Sequence, residues 1–345
     1  MEWFQAVMKR RKALKIGGIS AMTAIGSIGV MRSVLAELDF DLVKETRTKM
    51  GTLVTISVVH RDVSIARTII DEAFVEIDRL EALFSRYREG TPLWVLNREG
   101  ILENPPSEML EVLTHALEID TLTDGAFDVT VAPLVDLYSN SFEEVGELPS
   151  EVQIENALSL VGSQGINFDR DKIVFERDGM SLSFDGIAKG YIVDQAVKII
   201  KKEGVRGGLI DAGGDMSATG EDLLGESWRL AIQHPRNPGS YLCLIDLSDG
   251  AVATSGDYMQ YLTEDLIVHH IVDPRLGTSP DHTSSVSVIA STAAEADALS
   301  TATLVLGPEK GIRLLNELPG VEGILVTKDQ EVIKTGGFSH YEVTI

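Results

Sequence analysis

Asp297 and Thr301 stand four residues apart in a segment that reads as a capped helix, so their oxygen-bearing side chains project from one face and could reach one cation. Magnesium takes oxygen ligands in octahedral geometry and keeps positions for water and phosphate oxygens; Asp297, Thr301 and a nearby backbone carbonyl would suit it. By spacing alone, an Asp and a Thr on a helix surface are the commoner arrangement. The run Ser183-Phe184-Asp185-Gly186-Ile187-Ala188-Lys189-Gly190-Tyr191, with Asp194 three residues on, is richer. Its glycines let a backbone approach a ligand closely, Lys189 can meet a phosphate, and Asp185 can meet a metal or a ring nitrogen. His269 and His270 precede Ile271-Val272-Asp273-Pro274, and one of them could serve as a general base, a structural loop histidine being the alternative. Asp211-Ala212-Gly213-Gly214-Asp215 reads equally as a tight turn and as a glycine loop flanked by carboxylates. Thr254-Ser255-Gly256 offers a hydroxyl, but no Gly-x-Ser-x-Gly elbow surrounds it, which argues against a serine hydrolase.

The elements that must position these groups follow from apolar spacing. A strand is predicted over Thr52 to Val59, entered through Met50-Gly51, and a helix over Ser64 to about Tyr87 with Ile70, Ala73, Ile77, Leu80 and Phe84 on one face. A second helix begins near Ser107 and stops at Asp124-Gly125. Residues Phe142 to about Ile154 read as an acidic exposed connection, leading to a short helix and a hairpin near Asp171 to Phe184. The glycine loop opens a helix stopped by Gly204. Short strands follow at Gly208 to Asp211, Trp228 to Gln233, Leu242 to Leu247 and Val286 to Ala290. A helix capped by Thr292 and Glu295 runs to about Leu306, another follows Pro308, and a strand pair covers Gly323 to Val326 and Glu331 to Lys334. Strands and helices mix without regular βα alternation, so the class is α+β.

With 345 residues and no low-complexity segment, the chain is long enough to bury a substantial core. Residues 1–36 stand apart: Lys9, Arg10, Arg11, Lys12 and Lys15 form a basic head, followed by a Gly/Ala/Ile-rich run from Ile16 to Val30 and then Val34-Leu35-Ala36. This is the layout of an export signal, twin-arginine-like at Arg10-Arg11, or alternatively of an N-terminal membrane anchor. The expectation is therefore a signal or anchor over 1–36, a single catalytic domain over 37–345, and export to the periplasm or the extracytoplasmic face of the inner membrane. Loss of residues 1–36 would remove six positive charges and one negative, taking the net charge from −23 to −28. So acidic a surface repels nucleic acid and anionic lipid, leaving membrane association to the N-terminus or to a partner. Cys243 is the single cysteine, so no intrachain disulfide forms.

Taken in order, the motifs resemble the ApbE family of FAD:protein FMN transferases over nearly the whole chain after residue 36. They are Met50-Gly51-Thr52, Phe84-Ser85-x-Tyr87 with Asn97 beyond, Gly125-Ala126-Phe127-Asp128-x-Thr130, the Asp185 to Tyr191 loop, Gly213-Gly214-Asp215, Thr254-Ser255-Gly256, His270-Ile271-x-Asp273-Pro274 and Asp297-Ala298-Leu299-Ser300-Thr301. The resemblance implies an ApbE-like, T-fold-related arrangement of mixed sheets with flanking helices and an FAD site in a central cleft. It implies a magnesium-dependent enzyme that cleaves FAD as substrate, passes FMN to a Thr hydroxyl within a flavinylation motif of an exported or membrane flavoprotein, and releases AMP. By similarity, Met50, Tyr87, Ala126, Phe127, Asp128, Asp185, Lys189, His270 and Ile271 would contact the dinucleotide. Asp297, Thr301 and the Gly186 carbonyl would hold the metal, and His270 and Lys189 would act on the reacting groups. Two positions depart from the family pattern: Ser183 stands where many members carry Asp, with Asp185 two residues later, and Leu276 stands where Thr is usual. Two rival readings remain, a magnesium-dependent FAD pyrophosphatase giving FMN and AMP, and a periplasmic flavin-binding protein without turnover.

Overall fold

The computed structural model describes residues 39–144, 146–201 and 204–343. The expected signal or anchor over 1–36 lies outside the described residues. Among those described, no helix is long and apolar enough to cross a membrane.

In chain order the strands are β1 (Asp41–Lys49), β2 (Thr52–His60), β3 (Ile101–Glu103), β4 (Ile166–Phe168), β5 (Lys172–Phe175), β6 (Val205–Ala212), β7 (Asp215–Gly220), β8 (Trp228–Gln233), β9 (Tyr241–Leu247), β10 (Gly250–Gly256), β11 (Thr283–Ala290), β12 (Glu322–Thr327) and β13 (Val332–Lys334). The helices are α1 (Val63–Phe84), α2 (Pro92–Glu99), α3 (Ser107–Leu122), α4 (Ala132–Glu144), α5 (Glu151–Leu158), α6 (Ala188–Ile200) and α7 (Ala293–Glu317). One sheet dominates, with strand order β1-β2-β6-β7-β10-β11-β12-β13; β3-β5-β4 and β8-β9 form two small sheets. Neighbouring strands pair antiparallel throughout. The α+β class expected from the sequence holds.

The large sheet is covered on both faces, and the period-2 alternation of its strands sorts residues between two cores. On β2, Val54, Ile56 and Val58 join the cluster formed with α1, α3 and α6, while Val59 faces the opposite cluster around Trp228, Leu230 and Ile245 of the β8-β9 ribbon. On β7, Met216 and Ala218 pack toward that ribbon. Asp215, Ser217 and Thr219 therefore take the helix side. The helix side is dominated by α1, whose Phe74, Ile77 and Leu80 are fully buried; each is worth roughly 2 kcal/mol against exposure.

Several predicted boundaries move. α1 begins at Val63, one residue before the predicted start, and is capped by Asp62, whose carboxylate accepts from the amides of Ser64 at 2.8 Å and Ile65 at 3.2 Å. The predicted exposed connection at Phe142 to Ile154 is shorter, because α4 continues to Glu144 and α5 already begins at Glu151 behind a Ser150/Gln153 capping box. Leu134 and Tyr138, with Val135 and Leu137 packed alongside, anchor α4 through the start of this stretch. The hairpin expected near Asp171 to Phe184 lies earlier, as β4 and β5, and residues after Phe175 run irregularly into the glycine loop. The predicted break before Pro308 is present: Gly307 adopts φ +81°, ψ −179°, dividing α7 into two segments.

Candidate active site

The glycine loop is fixed at its entry by a side chain remote in sequence. Asn97 pairs with residue 182 as a neighbouring strand would, donating to the Leu182 carbonyl at 2.8 Å and accepting its amide at 2.7 Å. Ser183, the first departure from the family pattern, accepts the Asp185 amide at 3.2 Å and so shapes the turn. Phe184 is buried edge-on against Phe84, with ring centroids 5.9 Å apart, and Phe84 packs the same way on Tyr191 at 5.7 Å. Asp194 ties the loop's helix to α7: its two oxygens accept the amides of Ala293 at 2.8 Å and Ala294 at 2.9 Å. Gly190 is obligatory, since a Cβ there would sit 2.2 Å from the Ala293 carbonyl oxygen.

This docking brings Lys189 to two carboxylates. Asp297 is buried in the second turn of α7, and its Oδ2 accepts the Gly190 amide at 3.1 Å. The Lys189 Nζ lies 3.1 Å from Oδ2 of Asp215, which opens β7 and is 1% exposed. That contact is an ion pair, and Asp215 Oδ1 has no hydrogen-bond partner among the described residues. Burial, and then the Asp215 carboxylate beside it, push the Asp297 carboxyl well above the ordinary carboxylate range. Burial likewise raises Asp215 against the opposing pull of Lys189. Burial works to lower the Lys189 ammonium, but Asp215 and Asp297 outweigh it and hold the group charged. One cation thus faces two crowded carboxylates, with anionic capacity to spare.

Oxygen donors surround this excess charge. Ser255, on the helix side of β10, lies 3.0 Å from the Thr301 hydroxyl and 2.7 Å from that of Ser300. Gly186 lies against the same Thr301 and against Phe127: a Cβ at Gly186 would stand 3.4 Å from Thr301 Oγ1 and 3.1 Å from the Phe127 ring. A buried carboxylate, a hydroxyl one turn along the same helix, the adjoining Gly186 backbone and a second buried carboxylate with an unsatisfied oxygen suit a hard divalent cation. Among the described residues no group of three His, Cys, Asp or Glu side chains gathers around one point, so such an ion would rely on neutral oxygens and on phosphate.

The two histidines separate cleanly. His269 is buried; its Nε2 lies 3.2 Å from the Pro280 carbonyl, its Nδ1 accepts the Ile271 amide at 3.3 Å, and burial lowers its pKa to about 4. It is a loop brace. His270 presents its Nδ1 to the Gln260 carbonyl at 2.9 Å, which fixes the proton there and leaves Nε2 as the basic nitrogen. Burial lowers His270 below its ordinary value, and Lys189 acts on it in the same sense, so the ring is neutral at pH 7.

The remaining sequence-predicted residues distribute around this centre. Met50 (φ +49°) and Gly51 form the β1-β2 turn, which abuts the β6-β7 turn: a Cβ on Gly213 would meet Thr52 Oγ1 at 2.3 Å. The Gly213-Gly214 segment is therefore both a tight turn and the mount of Asp215. Ala126 and Ile271 are buried in one apolar cluster. Asp128 is braced internally, one oxygen accepting the Thr130 amide at 2.7 Å and hydroxyl at 2.6 Å, the other the Ser163 amide at 3.1 Å. Tyr87 is 47% exposed beneath the Arg86 guanidinium, 4.6 Å from its ring centroid. Asp185 extends toward Arg86 Nε at 3.7 Å, and Leu276, the second departure, is exposed. Asp215 and Arg86 were not singled out as site residues by sequence; the Asp215 signal was the glycine turn, while Arg86 had none beyond the motif around it.

Residues 50–325 match the ApbE family. The FAD:protein FMN transferase of Salmonella typhimurium is 33% identical over 296 residues, covering 83% of this chain and 84% of that protein. The protein of the same name from Treponema pallidum is 28% identical over 84% of this chain and 85% of its own. Among solved structures, the ApbE protein of Thermotoga maritima superposes with a TM-score of 0.80 at 29% identity, covering 88% of this chain and all of that one. The apo flavinyl transferase ApbE of Pseudomonas stutzeri gives 0.76 at 28% identity, over 88% of this chain and 98% of its own. The chain belongs to the ApbE family.

Proposed function

We propose that this protein is a magnesium-dependent FAD:protein FMN transferase, transferring FMN from FAD to a Thr hydroxyl of an extracytoplasmic or membrane flavoprotein and releasing AMP. The observation that carries this reading is the pair of crowded buried carboxylates, Asp215 and Asp297, facing Lys189 beside the hydroxyl of Thr301 and the backbone of Gly186. A bound magnesium ion, held by Asp297, Thr301 and the Gly186 carbonyl, would supply charge neutralisation on the phosphate oxygens. Lys189, kept charged by its carboxylates, is placed to meet a pyrophosphate oxygen as negative charge builds. His270 Nε2 accepts the Thr proton as the Thr oxygen bonds to the FMN phosphorus. The bond from that phosphorus to the bridging oxygen breaks, and the oxygen departs with AMP. The exposed Tyr87 ring offers apolar surface to the flavin or adenine ring, while Phe127, buried against Gly186, backs the glycine loop. The basic head and apolar run of residues 1–36 support export, and with it an acceptor outside the cytoplasm.

The test mixes the full-length protein with FAD, magnesium and an acceptor domain carrying a Thr flavinylation motif, following in-gel flavin fluorescence beside AMP release. Fluorescence on the acceptor that disappears when its Thr is changed is expected. AMP and free FMN without labelling, where an established family member labels the same acceptor, would instead indicate a pyrophosphatase. Absence of both products would indicate a flavin-binding protein.

A further inference from the structure

A second charge cluster lies at the same end of the large sheet. Asp257, just beyond β10, is fully buried. Arg236, from the β8-β9 connection, grips it with two bonds of 2.7 and 2.6 Å and donates a third to Ser284 Oγ at 2.7 Å. Lys328, from the β12-β13 turn, donates to Asp257 Oδ2 at 2.6 Å and to the Leu266 carbonyl at 2.8 Å.

That last bond gives the cluster a direction. Residues 260–270 fold back on themselves: Leu262 N bonds to the Val268 carbonyl at 2.8 Å, Leu266 N to Thr263 at 3.0 Å, and His270 N to Gln260 at 3.0 Å. Leu266, at the tip, takes φ +61°, a conformation costly for a leucine. The excursion begins at Asp257, ends at His270, and a single ammonium joins its root to its tip. An apolar replacement of a buried ion cluster often costs no stability, so stability alone is a poor reason for its presence.

We propose that Asp257, Arg236 and Lys328 form a positioning device for His270, holding the 257–270 excursion so that the Gln260 carbonyl orients the imidazole toward the acceptor hydroxyl. This rests on the reading of His270 as the base. A base loosened by an ångström loses much of its effect although nothing at the reacting atoms has been removed.

The experiment compares full-length wild type with Lys328→Met and Lys328→Arg, measuring amide hydrogen exchange, FAD affinity by flavin fluorescence and kcat for labelling of the acceptor. In Lys328→Met the Arg236 pair keeps Asp257 satisfied. Exchange at Leu262, Leu266 and His270 is expected to accelerate at least about tenfold. The kcat is expected to fall roughly tenfold with FAD affinity unchanged within about twofold. Lys328→Arg should restore both. Should Lys328→Met not fold, Lys328→Gln, whose shorter, neutral side chain cannot bridge Asp257 and the Leu266 carbonyl, carries the same measurements. Unchanged exchange, faster exchange with unchanged kcat, or FAD affinity falling in step with kcat would each overturn the proposal. His270→Gln run in parallel separates the two readings: full activity there removes the base assignment, while the exchange data still report whether Lys328 holds the loop.

Discussion

Asp215 and Asp257 are both buried carboxylates at one end of two paired strands, β7 and β10, yet they are treated in opposite ways. Asp257 is closed, with two cations and short bonds to both of its oxygens. Asp215 is open: its nearest cation stands off at 3.1 Å, a second carboxylate crowds it, and one oxygen lacks a partner among the described residues. A buried charge left incomplete is costly, by several kcal/mol in a low dielectric, and persists where a ligand completes it. The closed cluster holds a loop in place; the open one is built to receive.

The largest effects should come from neutralising one carboxylate in each region. Asp297→Asn removes the charge crowded against Asp215, and flavin transfer is expected to fall by about three orders of magnitude, near 4 kcal/mol of transition-state stabilisation. Its stability at pH 7 in urea should be unchanged or higher, because a like-charge repulsion is relieved. Asp257→Asn should do the reverse to stability, leaving Arg236 and Lys328 facing a neutral amide at a cost of about 3–5 kcal/mol. Equal destabilisation by both substitutions would erase the distinction between open and closed.

His270 tests the link between the regions. His270→Gln is expected to lower kcat about a hundredfold while leaving FAD binding within twofold, the range usual for loss of a general base. Since burial lowers the pKa of this ring and the neutral form is the base, the acid limb of the kcat profile belongs below pH 6.5. A kcat that instead falls as pH rises through that same lowered pKa would mean that the imidazolium acts, as a hydrogen-bond donor, and the role of Lys189 would need to be redrawn.

Much of the candidate site is legible in the sequence because its residues lie in short local motifs. The four-residue spacing of Asp297 and Thr301 and the Thr292 cap placed the pair on a helix, and α7 bears this out. What the sequence could not show is which distant segments meet. Asp215 is 82 positions from Asp297, and only closure of the sheet brings β7 beneath α7; Asp257 and Lys328 are 71 positions apart. β7 carries little strand signal for a related reason: Asp-Met-Ser-Ala-Thr-Gly is poor in the large apolar residues that announce a strand, its helix-side positions being Asp215 at the candidate site and Ser217 and Thr219, which bond to the β9-β10 turn. Likewise α4 hid one buried face, Leu134 and Tyr138, within an acidic and serine-rich stretch.

The smallest expected effect is also the most direct probe of the open cluster. A carboxyl whose folded pKa is raised, as burial and Asp215 raise that of Asp297, contributes most to stability at low pH, where both folded and unfolded forms are protonated, and that contribution is lost as pH rises toward the folded value. A dication bound at these oxygens takes the place of the proton, so its stabilising increment must grow as pH rises through the same interval. At ten times its Kd, magnesium should stabilise the chelator-treated protein by about 1.4 kcal/mol, measured as a shift in Tm. Held at that magnesium concentration, the shift should shrink as pH is lowered and be absent in Asp297→Asn. In Asp257→Asn, if enough folded protein remains, both the shift and its pH slope should persist, because the closed cluster has no share in binding the ion. A magnesium shift that is independent of pH and survives Asp297→Asn would locate the ion elsewhere, and with it the reason for leaving an Asp215 oxygen unsatisfied.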